Sequence, residues 1–522
     1  MTQAFNLSQL ANGVDSSGKL DLSTNSKNPS WTTDIVANGL TVGKGAGSVA
    51  TNTAVGASAL AANTTGANSV AVGSEALKSQ TTGGSNSVVG QAAMFTNTTG
   101  YYNAAMGNSA MYYNTTGYQN VALGVNALTN NTTASNNTAV GYQAAYSNTT
   151  GFANTFMGKA AGYTNTTGLA LSAFGQDALY NNTTGGYNTA LGVDALRSNT
   201  TSSNNTAAGY QAGYYSQGGG SVGSVFIGVA AGYGDATGYY NTYVGHLSGP
   251  NTVTNASGVQ NTAVGRQALT SDTTGSYNTS VGVQSGYSCT TGYSNTFIGT
   301  GAGYSVTTGR ANTFVGGGES GFAYSCGQNV TTGIRNSFFG AFSGSVITTG
   351  SSNSILGNYT GNQGGLDIRT ASNVIVLSDG DGNPRLFLGD SGYVNCIGAY
   401  NNTSAAAANA TFNASGYFSR STSALKYKQD IRDLEEMDIN LLRPVRYKSK
   451  CEGDDQTKDH FGLIADEAAE AGFDELVTRG VDGEVEGFQY ERLTVVLLKK
   501  LQTLSAKVDA QAAEIAALKG QA

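Results

Sequence analysis

The 522-residue chain has only four prolines, four cysteines, two histidines and one tryptophan, and 11% of its residues are charged. So little proline disfavours a disordered linker, where proline is normally enriched. The cysteines, Cys289, Cys326, Cys396 and Cys451, lack Cys-x-x-Cys spacing and support neither a zinc site nor a disulfide framework. His246 and His460 lie far apart in sequence, which disfavours a Ser-His-Asp triad. No stretch approaches the ~20 apolar residues of a membrane helix. The segment Met1 to Ser8 has neither the basic flank nor the apolar core of a signal peptide, so the expectation is synthesis in the cytosol without export by the usual routes. Net charge is −7 and no basic stripe is present, which argues against nucleic acid as a partner. Nothing in the residues calls for a cofactor or a metal.

What the chain has in abundance is glycine, 73 residues of it, and much of it is in phase. From Gly56 to Gly209 a glycine recurs every 17 residues without a slip, and the series resumes from Gly228 to Gly357 with three insertions. These make 18 repeats, each with an apolar residue immediately before the glycine. Asn stands four residues before it in 15 of the 18, with Ser69, Leu171 and Ser224 as the exceptions. Disorder imposes no such register. A fixed period of this length marks a solenoid whose single rung cannot bury its apolar face alone.

In the unit that starts at Asn137, the residues Asn137-Thr138-Ala139-Val140-Gly141 read as a short strand. The residue just before the glycine, Val140, is expected to point inward, and the glycine to let the backbone bend. A second short strand is expected through Gln143-Ala144-Ala145, and Asn148-Thr149-Thr150-Gly151 closes the rung as a turn rich in left-handed-tolerant residues. Rungs stacked at ~4.8 Å give a rod of roughly 85 Å. The expected fold is mainly β, a parallel β-roll or β-helix of about 18 rungs over residues 41–362. One such coil encloses a thin core, and three packed side by side would bury a further face.

The composition then changes. Residues 363–422 read as a β-hairpin and linker, with Asn373–Leu377 and Arg385–Leu388 as the hairpin strands. Of the chain's 59 charged side chains, 34 fall in the last 102 residues. The final stretch, about 494–518, carries Thr494, Leu497, Leu501, Leu504, Val508, Gln511, Ile515 and Leu518 at alternating spacings of three and four, the seam of a coiled coil.

Two resemblances sharpen this reading. Asn68-Ser69-Val70-Ala71-Val72-Gly73 resembles the head repeat of trimeric bacterial autotransporter adhesins, which implies a trimeric β-roll architecture. Ser423-Ala424-Leu425-Lys426-Tyr427-Lys428-Gln429-Asp430-Ile431 resembles the start of the intramolecular chaperone domain of endosialidases and other phage tail spikes and fibres. Further blocks follow in order: Leu442–Tyr447, His460–Glu467, Phe473–Val477 and Tyr490–Leu493. The resemblance implies a small α+β domain over 423–522 that trimerises, templates folding of the fibre and then cuts itself off before its serine. Carried over, the scissile bond is Thr422–Ser423, Ser423 is the nucleophile of a serine-type endopeptidase acting once on its own chain, and Lys428 is the base. A desolvated lysine can take a serine proton. Two alternatives stay open: Ser421 with Lys426, which offers the same spacing, and an uncleaved chaperone, since Ala424 stands where the family usually has Asp.

The implied function is that of a homotrimeric phage tail fibre or appendage mediating host adhesion. Residues 1–40 would attach to a virion baseplate or tail protein, and Ala4–Ala11 is similar to the starts of fibre-like proteins of marine cyanophages. The other partner would be a host cell-surface receptor, with the insertions as the exposed loops. A bacterial trimeric surface adhesin is the alternative. A polysaccharide-cleaving spike would need clustered carboxylates, and the repeats hold only Glu75, Asp177, Asp194, Asp235, Asp272 and Glu319.

Overall fold

The computed structural model describes residues 35–37, 40–217, 223–251, 256–318, 324–390, 394–395, 410–412, 418–420, 429–450, 456–480 and 483–520. The chain divides into two compact units, Met1–Thr403 and Ser404–Ala522. The first is a parallel β-solenoid, mainly β, with about 18 turns of 17-residue period. The putting-together of rungs is strictly sequential: Thr138–Val140 pairs in parallel with Val121–Leu123 on one side and Thr155–Met157 on the other, one residue opposite its equivalent.

Each rung carries one strand of three residues, and the segment expected to form a second strand is a chain of turns. The reason is local. Gln143 and Ala145 take φ of 56° and 53°, the left-handed region, which a pleated strand does not visit. Their amides still bond across rungs, Ala145 N–H to the Ala161 carbonyl at 2.9 Å, so the turn segment stacks as regularly as the strand.

The inward side chain is also not the one before the glycine. In Thr138–Val140 the buried residue is the central Ala139, while Val140 and Thr138 face outward. The same pattern, middle residue in and apolar third residue out, repeats along the rod. A three-residue strand offers too few alternations for sequence to fix its phase, and the glycine sits one residue further from the core than expected. Gly141 itself takes φ of +138°, and a Cβ there would stand 2.5 Å from the Gly158 carbonyl oxygen of the next rung. The turn glycines answer a different need. A Cβ on Gly151 would stand 2.3 Å from the Gly168 oxygen, so close stacking of turns, and no left-handed backbone, requires glycine there.

Two buried columns meet across the thin core. One is the central strand residue; the other lies six positions later. Where the strand supplies alanine, the partner is often large: Ala71 with Leu77, Ala105 with Met111, Ala122 with Leu128, Ala173 with Leu179. Where the strand supplies a ring, the partner is glycine. Cβ atoms on Gly162, Gly232, Gly249, Gly303, Gly327 and Gly344 would each lie between 2.1 and 2.5 Å from the ring of Phe156, Phe226, Tyr243, Phe297, Phe314 or Phe338. Interiors packed to crystal density demand such compensation.

Asparagine fills two further buried columns. The one four residues before the glycine ties the strand entry to its neighbours: Asn86 Oδ1 accepts the Asn103 amide at 3.0 Å, and Asn86 Nδ2 donates to the Gly100 carbonyl at 2.9 Å. Ser69 and Ser224 keep the acceptor through their hydroxyls, to Asn86 at 3.4 Å and Asn241 at 3.2 Å; Leu171 does not. The turn asparagines form a second ladder, in which Asn114, Asn131, Asn148, Asn165, Asn182 and Asn199 each donate Nδ2 to the Oδ1 one rung earlier at 2.8–3.0 Å. It ends at Ser216, where Asn199 Oδ1 and Ser216 Oγ have no hydrogen-bond partner among the described residues. Further on, the same column turns apolar, with Cys289, Val306, Val330 and Ile347. Turn chemistry alone therefore does not account for the asparagines; they are the polar half of the core.

Both ends of the parallel sheet are covered. Ile35–Ala37 and Leu40–Gly43 form an antiparallel hairpin whose second strand pairs antiparallel with Thr53–Val55. At the other end Ile375–Ser378 extends the parallel stack on Ser354–Leu356, then pairs antiparallel with Pro384–Leu388, which pairs with Val394–Asn395. Such ends protect the open edge of a stack. The insertions fall partly outside the described residues, at 218–222, 252–255 and 319–323, as do residues 1–34.

Candidate processing site

Thr422, Ser423 and Lys428, with the alternative pair Ser421 and Lys426, lie outside the described residues. What is described is the scaffold that follows them. Residues 431–438 form no helix or strand and lead to a short 3-10 turn, Ile439–Leu441, capped by the Asp438 side chain accepting from the Asn440 amide. Val445–Lys448 pairs antiparallel with Asp459–Gly462, and Val477–Arg479 with Val485–Phe488. A six-residue helix, Ala465–Glu470, lies between these hairpins in sequence, and the unit ends in a helix over Tyr490–Lys519.

A small core explains the spacing of the blocks. Ala468, Phe473, Leu476, Val477 and Val496 are buried together, with Leu434, Met437, Ile439 and Leu442 packed against them. The segment just after Lys428 is thus anchored through Leu434 and Met437 onto the first turns of the terminal helix. Tyr490 Oη accepts the Leu463 amide at 2.7 Å, and a Cβ on Gly462 would strike that oxygen at 2.4 Å. Glycine before Leu463 therefore makes room for the tyrosine.

Ion pairs lie at the surface. The Arg443 guanidinium beside Glu467 holds that carboxyl below the usual range, and Lys500 Nζ stands 3.2 Å from Glu436. Exposed pairs of this kind stabilise little. His460 stacks on Tyr447 at 5.7 Å, and its Nε2 has no hydrogen-bond partner among the described residues.

A shallow apolar groove of about 410 Å³ is lined by Pro444, Val445, Phe461, Leu463, Tyr490 and Leu493, with Phe461 87% exposed. The terminal helix likewise exposes Leu497, Leu501, Leu504, Val508, Ile515 and Leu518. Among the described residues no group of three or more His, Cys, Asp or Glu could hold a metal ion, and no helix is long and apolar enough to cross a membrane.

Two of the rod's described carboxylates are ion-paired and two are buried. Glu75 pairs with Lys78 at 2.8 Å and Asp194 with Arg197 at 3.2 Å. Asp235 and Asp272, counted in the sequence among the few carboxylates of the repeats, are fully buried in the turn-asparagine column. Burial pushes Asp235 up to about 7, against the opposing hydrogen bonds from Asn241 and Gly238, and raises Asp272 well above the carboxylate range. Tyr243, also buried beside them, has a hydroxyl without a geometric partner among the described residues.

The molecule is therefore a β-solenoid rod followed by a small α+β unit. Residues 423–478 of that unit match the family model described as chaperone of endosialidase. No curated protein and no solved structure matches the chain. A solenoid followed by an endosialidase-type chaperone segment is consistent with a tail-fibre or endosialidase-type protein.

Proposed function

We propose that the chain is a homotrimeric phage tail fibre or appendage that adheres to the host, with residues 1–40 as the attachment end, 41–362 as the rod and 423–522 as a chaperone removed after folding. The observation that carries the reading is the family match, which begins at Ser423, the residue that the resemblance makes the nucleophile. The exposed apolar seam of the terminal helix, Leu497 through Leu518, supports a coiled coil, and the family resemblance and the solenoid favour three chains in it.

In the proposed cleavage the Lys428 amine takes the Ser423 hydroxyl proton and Oγ adds to the Thr422 carbonyl carbon. Collapse of the adduct breaks the Thr422–Ser423 C–N bond as the proton passes to the leaving amine. Water then hydrolyses the ester, leaving a Thr422 carboxylate and a fragment with Ser423 at its amino end. Burial of two rod carboxylates and ion pairing of two others support a rod that does not cleave polysaccharide.

The test is mass spectrometry of the purified full chain. Wild type should yield a fragment beginning at Ser423, whereas Ser423→Ala and Lys428→Ala should stay full length and still assemble. Cleavage blocked by Ser421→Ala and not by Ser423→Ala would move the pair to Ser421 and Lys426. A wild type that never cuts would leave the uncleaved-fibre reading.

A further inference from the structure

The outward face of the rod's parallel sheet carries a continuous stripe that the monomer leaves uncovered. In all 18 rungs the residue before the glycine is apolar, and in the structure that residue points out. Val89, Met106, Leu123, Met157, Ile227 and Leu356 are 37–59% exposed. The companion column two residues earlier, Thr138 and its equivalents, holds only Thr, Ser, Val and Ala through the same rungs. Every charged residue of the repeats lies in another column, among them Glu75, Lys78, Lys159, Asp177, Arg197 and Arg266. The sheet face is thus free of charge along the whole rod, although charge is what normally keeps such faces apart.

We infer that this stripe is the face by which three copies of the chain pack along a common axis, each against the other two. The inference rests on the trimeric reading above and deepens it by naming the surface. Two quantities favour a second copy over any other occupant. The first is period. A partner must match a spacing of one rung over 18 rungs, and a stack with a different rise falls out of phase within a few turns. Rotation about an axis parallel to the rod places every rung opposite its own equivalents at one height. The second is area. Eighteen rungs at ~4.8 Å and a strand width of about 10 Å give about 850 Å² per chain, the size of one side of a standard stable interface.

A second outer column, five residues after the glycine, fits less well. Tyr146, Tyr163 and Tyr180 stack at 5.1–5.2 Å, so each ring already has its faces filled by its neighbours. That column is also broken by Lys78 and Arg197, the latter lying over the Tyr180 ring at 5.1 Å.

The test uses single cysteines in the full chain, treated with a short bismaleimide reagent, with wild type in parallel to give the background from its own thiols. Leu123→Cys and Leu191→Cys lie in the stripe; Thr116→Cys and Thr184→Cys lie on exposed turn tips outside it. Native mass is measured on each sample. The expected result is a trimer in every case, with covalent dimers from the stripe variants in roughly two thirds of chains, because only two of three thiols round a threefold axis can pair. Trimers that link at the tips and not at the stripe, or at neither, would overturn the inference while leaving the trimeric fibre standing. A monomeric wild type would remove both.

Discussion

Changing Phe156 to Ala should be strongly destabilising alone and much less so together with Gly162→Leu. Phe156 is fully buried, and a Cβ on Gly162 would sit 2.1 Å from its Cε1. Truncating the ring leaves a void, at a cost of about 3–5 kcal/mol. Gly162→Leu alone forces the ring off its site, an overpacking cost of about 1–3 kcal/mol or more. The double variant reproduces the Ala–Leu pairing of the following rung, Ala173 with Leu179. Leu at that position is known to the fold: Leu179, Leu128 and Leu77 hold φ of 49–52°, close to the 61° of Gly162. What remains is the penalty for a left-handed leucine in place of glycine, about 1–2 kcal/mol. That penalty is common to Gly162→Leu alone and cancels in the cycle, so the coupling is the sum of the void and overpacking costs, about 4–8 kcal/mol in favour of the double variant, far above the few tenths expected of independent sites. Because each rung contacts only its neighbours, the sensitive assay is hydrogen exchange over residues 139–179. Phe156→Ala should lose at least a hundredfold in protection there, since each 1.4 kcal/mol is a factor of ten, and the double variant should recover most of it. Losses that simply add would refute pairwise compensation between the two columns.

Two further outcomes follow from the interior. Asn148→Val should cost about 2–4 kcal/mol, because Asn131 Oδ1 and one Asn165 N–H lose their partners while the Gly151 carbonyl keeps its bond from Asn137; equal exchange protection in Asn148→Val and wild type would count against the ladder. Asp235→Asn should remove a pH dependence. A carboxyl raised from 3.8 to about 7 by burial stabilises nothing relative to the unfolded chain below about pH 4, and its proton uptake costs stability progressively from pH 4 to 7 and constantly above. The accumulated cost is about 4 kcal/mol, so the variant's advantage over wild type should be absent at pH 4 and full at pH 8 in denaturant titrations; an advantage that does not change with pH would sink this account. Tyr243 and Asp272 share that interior, and their burial raises both, so the carboxyls there favour the protonated form together.

The period, the glycine phase and the rod were legible because close stacking punishes any side chain at Gly141 and its equivalents, and punishment repeated at fixed spacing leaves a pattern. The direction of the strand was not, since three residues such as Thr138-Ala139-Val140 hold apolar candidates at both the central and final positions. Gln143-Ala144-Ala145 read as extended because nothing in those side chains advertises a left-handed backbone. The pairing of Phe156 with Gly162 could have been found: each aromatic strand residue is followed six positions on by glycine in most rungs with rings, a correlation visible once the two columns are known to face each other. Phe314 with Gly327 hides it, because an insertion separates them. The burial of Asp235 and Asp272 was not anticipated, since charge is seldom buried; their alignment with the turn asparagines was the available signal. Ser423 and Lys428 came from resemblance to a motif, and neither period nor composition pointed to them.

The turn-asparagine ladder has a direction. Every amide in it points toward the preceding rung and every carbonyl toward the next. Within that ladder any rung therefore presents the same donor face and the same acceptor face as any other. Length becomes a quantity counted in whole turns: gain or loss of 17 residues would change the reach of the rod by ~4.8 Å and disturb nothing beside it. Gain or loss of 16 or 18 would move rings onto alanines and carbonyls onto side chains in the rung where it occurred. Such a rod is a ruler graduated by gene duplication, and the sites where its divisions are irregular, after Gly209, Gly245 and Gly316, mark where a sequence has paid for something other than length.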